Sequence, residues 1–398
     1  MSHTARGESP SAPGALPAGQ RSLAPDLARG VMLLIIATVH AHLFRQVAGA
    51  GGFSLEGPAD IGVTAVMALF AENRGYPMFA ALFGYGLAQI HRRRTAEGRE
   101  WPWVRRLLRR RGLALVAIGV AHTGLLFYGD IIAAYGLIAL VFTAAMGMGD
   151  RRLLVHAAAW MAAGTLAYAL VSTQLFAAAS ENAGAEVTWL SDALMRLAVL
   201  PFFLPLMVAI SVFPFLVGVW AGRRRLLERP QDHLPLLRRA AAWGIAAGVA
   251  GGAPQALINV EVWHVGPVTA TAVFWLHLLT GYAAGFGYAA LIALAAHWLD
   301  NRSGARRGPV VTALAATGQR SMTCYLLQSA AWAVLVPTYA LGLGPGWNDT
   351  GAVALGAGVW LATVLLADAM RRAGLRGGPA EWLLRRMTYG RPSPPAAS

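Results

Sequence analysis

The chain alternates apolar stretches long enough to cross a hydrocarbon core with loops in which nearly all of its arginines collect. A bilayer core about 30 Å thick takes roughly 20 apolar residues in a helix, and inside it every backbone donor and acceptor must be satisfied locally. Such stretches lie at about 28–48, 60–90, 112–129, 131–148, 153–179, 197–222, 240–260, 269–298, 310–340 and 351–370. With 56% hydrophobic and 13% charged residues the chain is too apolar for a soluble domain. The expected fold is all-α, a polytopic membrane bundle of about ten transmembrane helices.

Charge sets the expected orientation. Arginine clusters fall at 92–94, 105–111, 151–152, 223–225 with 238–239, 306–307 and 371–386, whereas the loops around Glu56, Asp130, 181–192, Glu261 and Trp347 hold few. Every second loop is basic, the positive-inside pattern, which puts both termini in the cytoplasm. The net charge of +14 does not point to a nucleic-acid partner, because the arginines neither share one surface nor alternate with stacking aromatics. The expected partner is the lipid bilayer. A single Cys324 allows no internal disulfide and no multi-cysteine metal centre, and no metal is expected. Residues 1–25, rich in Pro, Gly, Ser and Ala, read as a disordered cytoplasmic tail and 392–398 as a second one, leaving 26–391 as the membrane domain. The first apolar stretch starts well inside the chain and reads as a retained anchor.

Several ionisable residues interrupt these spans. Arg29 and His40 are eleven positions apart in the first span. Eleven helical steps of about 100° return to within about 20° of the start, so both project from one face, separated by roughly 16 Å of rise. With Arg29 at the cytoplasmic boundary, His40 falls near mid-membrane, where a titratable side chain marks a functional site by default. Its alternative is a histidine bonded to a neighbouring helix, and that of Arg29 is a topological anchor. The same spacing recurs at Arg111 and His122 in the third span. Either both spans bring basic groups into one polar cavity, or the spacing arises by chance in spans that begin with arginine. Asp130, beyond His122, serves first as a helix N-cap and alternatively orients that histidine.

In the second span, Glu72-Asn73-Arg74-Gly75-Tyr76-Pro77 separates two apolar halves. Glycine and proline there break the backbone ladder, which membrane depth tolerates only against protein or a water-filled cavity, so Glu72 and Arg74 are expected to line one. The ninth span carries Gln319, Arg320, Ser321, Thr323, Tyr325 and Gln328. An arginine in the bilayer costs a few kcal/mol, so Arg320 is expected to face a partner such as Glu72 or a ligand, with a structural ion pair as the competing reading. Gly244, Gly248 and Gly252, and separately Gly281 and Gly285, repeat at four-residue intervals, a spacing that lets helices pack closely within the bundle.

The sequence resembles the YeiB family of bacterial inner-membrane proteins, defined by a C-terminal domain of unknown function, here about 225–391. The resemblance is carried by Asp26-Leu27-Ala28-Arg29-Gly30, Phe79-Ala80-Ala81-Leu82-Phe83-Gly84-Tyr85-Gly86, Tyr128-Gly129-Asp130-Ile131-Ile132-Ala133-Ala134-Tyr135 and the basic run from Arg105 to Gly112 leading to His122. It continues in Gly318-Gln319-Arg320-Ser321-Met322-Thr323-Cys324-Tyr325-Leu326-Leu327-Gln328-Ser329 and in Gly378-Pro379-Ala380-Glu381-Trp382 with Thr388-Tyr389-Gly390. The last two blocks are specific as a pair. In its opening span the family is similar to transmembrane acyltransferases, which carry acyl groups from coenzyme A thioesters to sugars and other polar acceptors. Many relatives have asparagine in this region, so His40 brings this chain nearer to the acyltransferases.

The resemblance implies a multi-pass protein of the bacterial plasma membrane that moves an acyl group from acyl coenzyme A to a polar small molecule or envelope sugar. His40 would be the base, since neutral imidazole suits proton removal near pH 7. Arg29, Glu72, Arg74, His122, Asp130 and Arg320 would shape the polar cavity. No cofactor is expected to be bound, and acyl coenzyme A would be a co-substrate. The competing reading is a transporter or exporter of a small polar metabolite, with the interrupted second span as its binding element.

Overall fold

The computed structural model describes residues 22–48, 55–181, 188–303, 307–344 and 347–390, all of them helices and connecting turns, with no β-strand among the described residues. The expected tails lie outside them, except that the first helix begins at Leu23, ahead of Asp26. The helices are α1 (Leu23–Ala48), α2 (Pro58–Phe70), α3 (Gly75–Ala96), α4 (Trp101–Leu125), α5 (Ile132–Val141), α6 (Asp150–Glu181), α7 (Trp189–Arg223), α8 (Leu234–Asn259), α9 (Pro267–Ser303), α10 (Pro309–Gln319), α11 (Ser321–Leu335), α12 (Asp349–Arg372) and α13 (Pro379–Tyr389). Six of the ten expected apolar stretches, 28–48, 153–179, 197–222, 240–260, 269–298 and 351–370, coincide with long helices, and the other four fall on shorter, broken or more polar ones. Six helices among the described residues, α1, α6, α7, α8, α9 and α12, are long and apolar enough to cross a membrane.

The molecule wears much of its apolar surface outward. Phe202, Trp243, Val268 and Leu365 are all more than half exposed. In water so much apolar surface would be unstable, but facing lipid tails it costs nothing. The chain is a multi-pass membrane protein.

Helix α1 is the hub, packed against α3, α9, α10, α11 and α12. It approaches α10 with backbones in contact, because a Cβ on Gly30 would strike Leu314 O and one on Gly318 would strike Asp26 O. Helices α3 and α7 meet in the same way through Gly84 and Gly218.

Three of the expected stretches are interrupted. The second breaks between α2 and α3, where the amides of Ala71 and Glu72 both donate to Met67 O at 2.9 Å and Asn73 adopts the left-handed φ of 59°. The glycines of α8 and α9 form a socket around this break. Cβ atoms on Gly252, Gly281 and Gly285 would strike Arg74, Asn73 and the Arg74 carbonyl respectively, while those on Gly244 and Gly248 would strike α9. The four-residue spacing thus serves packing within one chain. The fourth stretch continues from α5 into a short 3-10 helix, Phe142–Gly147. The ninth splits at Arg320, which ends α10 and begins α11. The free amides of Met322 and Thr323 at this second break donate to Glu381 Oε1 at 2.8 and 3.1 Å, so α13 caps a helix that begins inside the bundle.

Candidate functional site: two cavities and a histidine partition

Two cavities lie along α1. The smaller, about 340 Å³, is basic: Arg29 of α1, Arg93 of α3 and Arg111 of α4 converge on it, with Asp26, Gln319 and Glu381 on its wall. Asp26 accepts from Gln319 Nε2 at 3.0 Å and lies 3.5 Å from Arg29 Nη1, which orients the first arginine. Arg111 has a buried Nε with no hydrogen-bond partner among the described residues.

The larger cavity, about 720 Å³, is aromatic. Phe127, Tyr128, Tyr168, Phe203 and Phe274 form its walls, and Glu72, Gln255 and Asn259 make one end polar. His40 lines it, with Nδ1 buried and unpartnered among the described residues and its ring 4.6 Å from that of Phe127.

A thin partition separates the two. Ile131 lines both cavities, and Tyr325 lines the basic one while its ring lies 6.1 Å from His40 and 5.2 Å from His122. Both spacings of eleven residues therefore resolve in the same way. The arginine of each pair, Arg29 or Arg111, reaches the basic pocket, and the histidine, His40 or His122, packs against Tyr325 in the partition. The expected single polar cavity is thus divided: the arginines share one pocket, while His40 lines the other and His122 is on the wall of neither.

Asp130 bonds both to the start of α5 and to His122. One carboxylate oxygen accepts from Ala133 N at 2.6 Å, taking a free amide of the first turn of α5 from the position before the N-cap, Ile131, and the other lies 2.8 Å from His122 Nδ1. Both side chains are buried, and His122 Nε2 has no partner among the described residues. Gly119 makes room for this pair, since a Cβ there would strike the Asp130 carboxylate and Ala133.

Of the two residues expected to line a cavity at the break between α2 and α3, Glu72 does so, whereas Arg74 is on the wall of neither cavity because its guanidinium is engaged in the bundle interior. Arg74 is fully buried, donating to Gly248 O at 2.7 Å and to Glu72 O, with His277 within 3.1 Å. The Glu72 carboxylate, on the wall of the aromatic cavity, lies 3.5 Å from His42, 3.9 Å from His277 and 3.4 Å from Asn259 Nδ2. Arg320 does not supply its counter-charge. It sits at the opposite end of α12 and donates to the carbonyls of Ala316 and Leu375, whereas Glu72 shares His42 with Asp349, the first residue of that helix.

His42 and Asp349 were not singled out from sequence. His42 lies 3.3 Å from Asp349, which also accepts from Thr64 Oγ1 at 2.5 Å, while neighbouring Thr350 donates to Asp60. A second histidine in the first span was the available signal, but at two residues from His40 it sits on a different face of α1. No group of three or more His, Cys, Asp or Glu side chains among the described residues is arranged to hold a metal.

The chain is similar to known proteins along almost its whole length. Residues 221–391 match the family model described as "Protein of unknown function (DUF418)". An uncharacterized protein of Bacillus subtilis, YxaH, is 24% identical over 92% of this chain and 93% of its own length. The uncharacterized Escherichia coli protein YeiB is 27% identical over 95% of this chain and 99% of its own.

Proposed function

We propose that this DUF418 protein, a distant full-length homologue of YeiB and YxaH, is a transmembrane acyltransferase of the bacterial plasma membrane. The observation that carries the reading is the double placement of the Arg–His pairs, arginines in the basic pocket and histidines in the partition below the aromatic cavity. Ten spans with both termini in the cytoplasm, as the arginine-rich loops favour, open the basic pocket to the cytoplasm.

In this reading the basic pocket receives the acyl-bearing arm of coenzyme A, a phosphate against its arginines and the thioester reaching toward the partition and His40. Guanidinium groups suit phosphate because they donate in a planar fork. A volume of 340 Å³ lies at the small end of ligand sites, enough for the reacting arm and not the whole coenzyme. The polar acceptor, a small molecule or envelope sugar, enters the aromatic cavity, and His40 removes its proton as it attacks the thioester carbonyl. The thiolate departs on the side of the arginines.

The test is thermal unfolding of the purified protein with acetyl and longer acyl coenzyme A, since a ligand that binds only the folded state raises apparent stability without an acceptor. A saturable rise that disappears in Arg29→Ala and persists in His40→Ala supports the reading. No rise with any thioester removes it.

One observation favours transport of a small polar metabolite instead. The break between α2 and α3 puts Glu72 and Asn73 on the wall of the larger cavity, as interrupted helices do in secondary transporters. Substrate flux in proteoliposomes without thioester consumption would establish that alternative.

A further inference from the structure

The two cavities differ in the sign of the charge on their walls. Among the described residues Arg29, Arg93 and Arg111 face the smaller one, whereas no arginine lines the larger, where Glu72 is the one carboxylate. Arg74, close to it in sequence, turns its guanidinium toward Gly248 O. The polar neighbours of the Glu72 carboxylate are the imidazoles of His42 and His277 and the amide of Asn259, and beyond His42 stands a second carboxylate, Asp349.

The same end of the larger cavity is short of donors. Gln255 Nε2 donates to Asn259 Oδ1 at 2.8 Å, and Asn259 Nδ2 faces Glu72 Oε2 at 3.4 Å, so the amide hydrogens of this row run toward the carboxylate. Gln255 Oε1 and Glu72 Oε1 are left buried without a hydrogen-bond partner among the described residues, and both atoms can only accept. An acceptor buried without a donor is costly, and an ammonium brings three N–H donors with a charge opposite to that of Glu72. The rest of the wall is apolar. Val39, Met207 and Ile210 continue the surface made by the aromatic side chains, and aromatic faces attract a cation as well as an apolar body. A volume of about 720 Å³ is within the range of sites that enclose a drug-sized ligand. Pro267, on the wall where α9 starts, is exposed, so the cavity is open at that end.

We propose that the larger cavity binds an amphiphilic primary amine, with its ammonium between Glu72 and Gln255 and its apolar body along the aromatic walls. Binding needs no reaction and suits an exported ligand as well as an acceptor; as the class of acceptor, the amine rests on the acyl-transfer reading. An anionic molecule of the same shape is repelled at Glu72 and finds its match in the arginine pocket instead.

The test uses the full chain in lipid nanodiscs, with empty nanodiscs as the blank, and three probes that share one body: naphthylethylamine, naphthylethanol and naphthylacetate, near neutral pH and without thioester. Equilibrium dialysis is expected to show the amine bound about 10-fold tighter than the alcohol or more, the margin of a charge-assisted hydrogen bond over a neutral one, and no saturable binding of the acetate. Ethanolamine, the head without the body, should bind about 100-fold more weakly than naphthylethylamine or worse. Gln255→Leu should cost the amine about 10-fold and leave the alcohol less affected. Glu72→Gln should remove the preference for the amine over the alcohol; should that variant not fold, selectivity in the wild type and in Gln255→Leu decides. A wild type that holds the alcohol or the acetate as tightly as the amine, or binds none of them, overturns the site. Acetyl coenzyme A added afterwards separates the two readings. Amine bound and thiol released supports both, whereas amine bound with no thiol released upholds the site and removes the amine as an acceptor.

Discussion

Thr323 donates its hydroxyl to Glu381 at 2.6 Å, joining the helix that restarts inside the bundle to the short helix α13 at its edge. The same threonine accepts from Ala380 N at 3.1 Å, and Glu381 takes the free amides of Met322 and Thr323. The two closing sequence blocks that read as a pair are thus in contact. One supplies a helix start without a local cap, and the other supplies the cap from beyond α12.

Removing that carboxylate should expose the restart. Glu381→Ala is expected to cost about 2 kcal/mol, the upper range for a lost helix cap, because two amides and a hydroxyl lose one acceptor group. Thermal unfolding in detergent reads this directly. Glu381→Gln, which keeps an acceptor oxygen, should lose less, and equal losses would point to packing alone.

The basic pocket makes a prediction about a residue outside the first span. If Arg111 shares the donor site with Arg29, then Arg111→Met should raise the apparent Kd for acetyl coenzyme A by about 10- to 100-fold, the value of one or two charge-assisted contacts. Titration of the thermal shift measures it. A charge-neutral change at Arg225, which is not on the pocket wall, should leave the affinity as it was.

The cluster beside the aromatic cavity should behave as one unit. His42 stands between Glu72 and Asp349, so Glu72→Gln and Asp349→Asn each leave a buried network short of one charge. Losses of about 3–5 kcal/mol are expected for breaking one member of such a pair. In the double variant the losses should add to less than their sum, since the two carboxylates share one imidazole. Strict additivity in the unfolding midpoints would show that the two act separately.

Close helix approach gives a prediction free of chemistry. A side chain at Gly218 must displace the backbone at Ala81, so Gly218→Val should prevent α3 and α7 from seating. A loss of 1–3 kcal/mol or more is expected for such overpacking, read as a reduced folded fraction on size-exclusion chromatography. Gly358→Ala, at a position with open space around it, should be neutral.

Helix positions and the break at residues 71–74 were legible because they depend on local signals, apolar run length and the Gly75 and Pro77 breakers. The dyad of His122 and Asp130 was half legible, since eight residues across one turn suffice to bring them together. Arg320 was misleading. The sequence offered Glu72 as its partner, but among the described residues Arg320 donates to carbonyls at the end of α10 and after α12, and no sequence pattern advertises a freed carbonyl. His42 was missed for a related reason: Glu72 is 30 residues away and Asp349 more than 300, so only the folded chain shows that they meet.

Helix α1 runs unbroken from Arg29 in one cavity to His40 in the other, and that continuity makes it a ruler. Eleven residues of helix fix about 16 Å between the group that would hold the donor's charge and the group that would act on its carbonyl. Neither end can move toward the other without unwinding a helix packed against five others. Thioesters on a truncated arm would reach the arginine or the histidine but never both, so the protein would choose its donor by length.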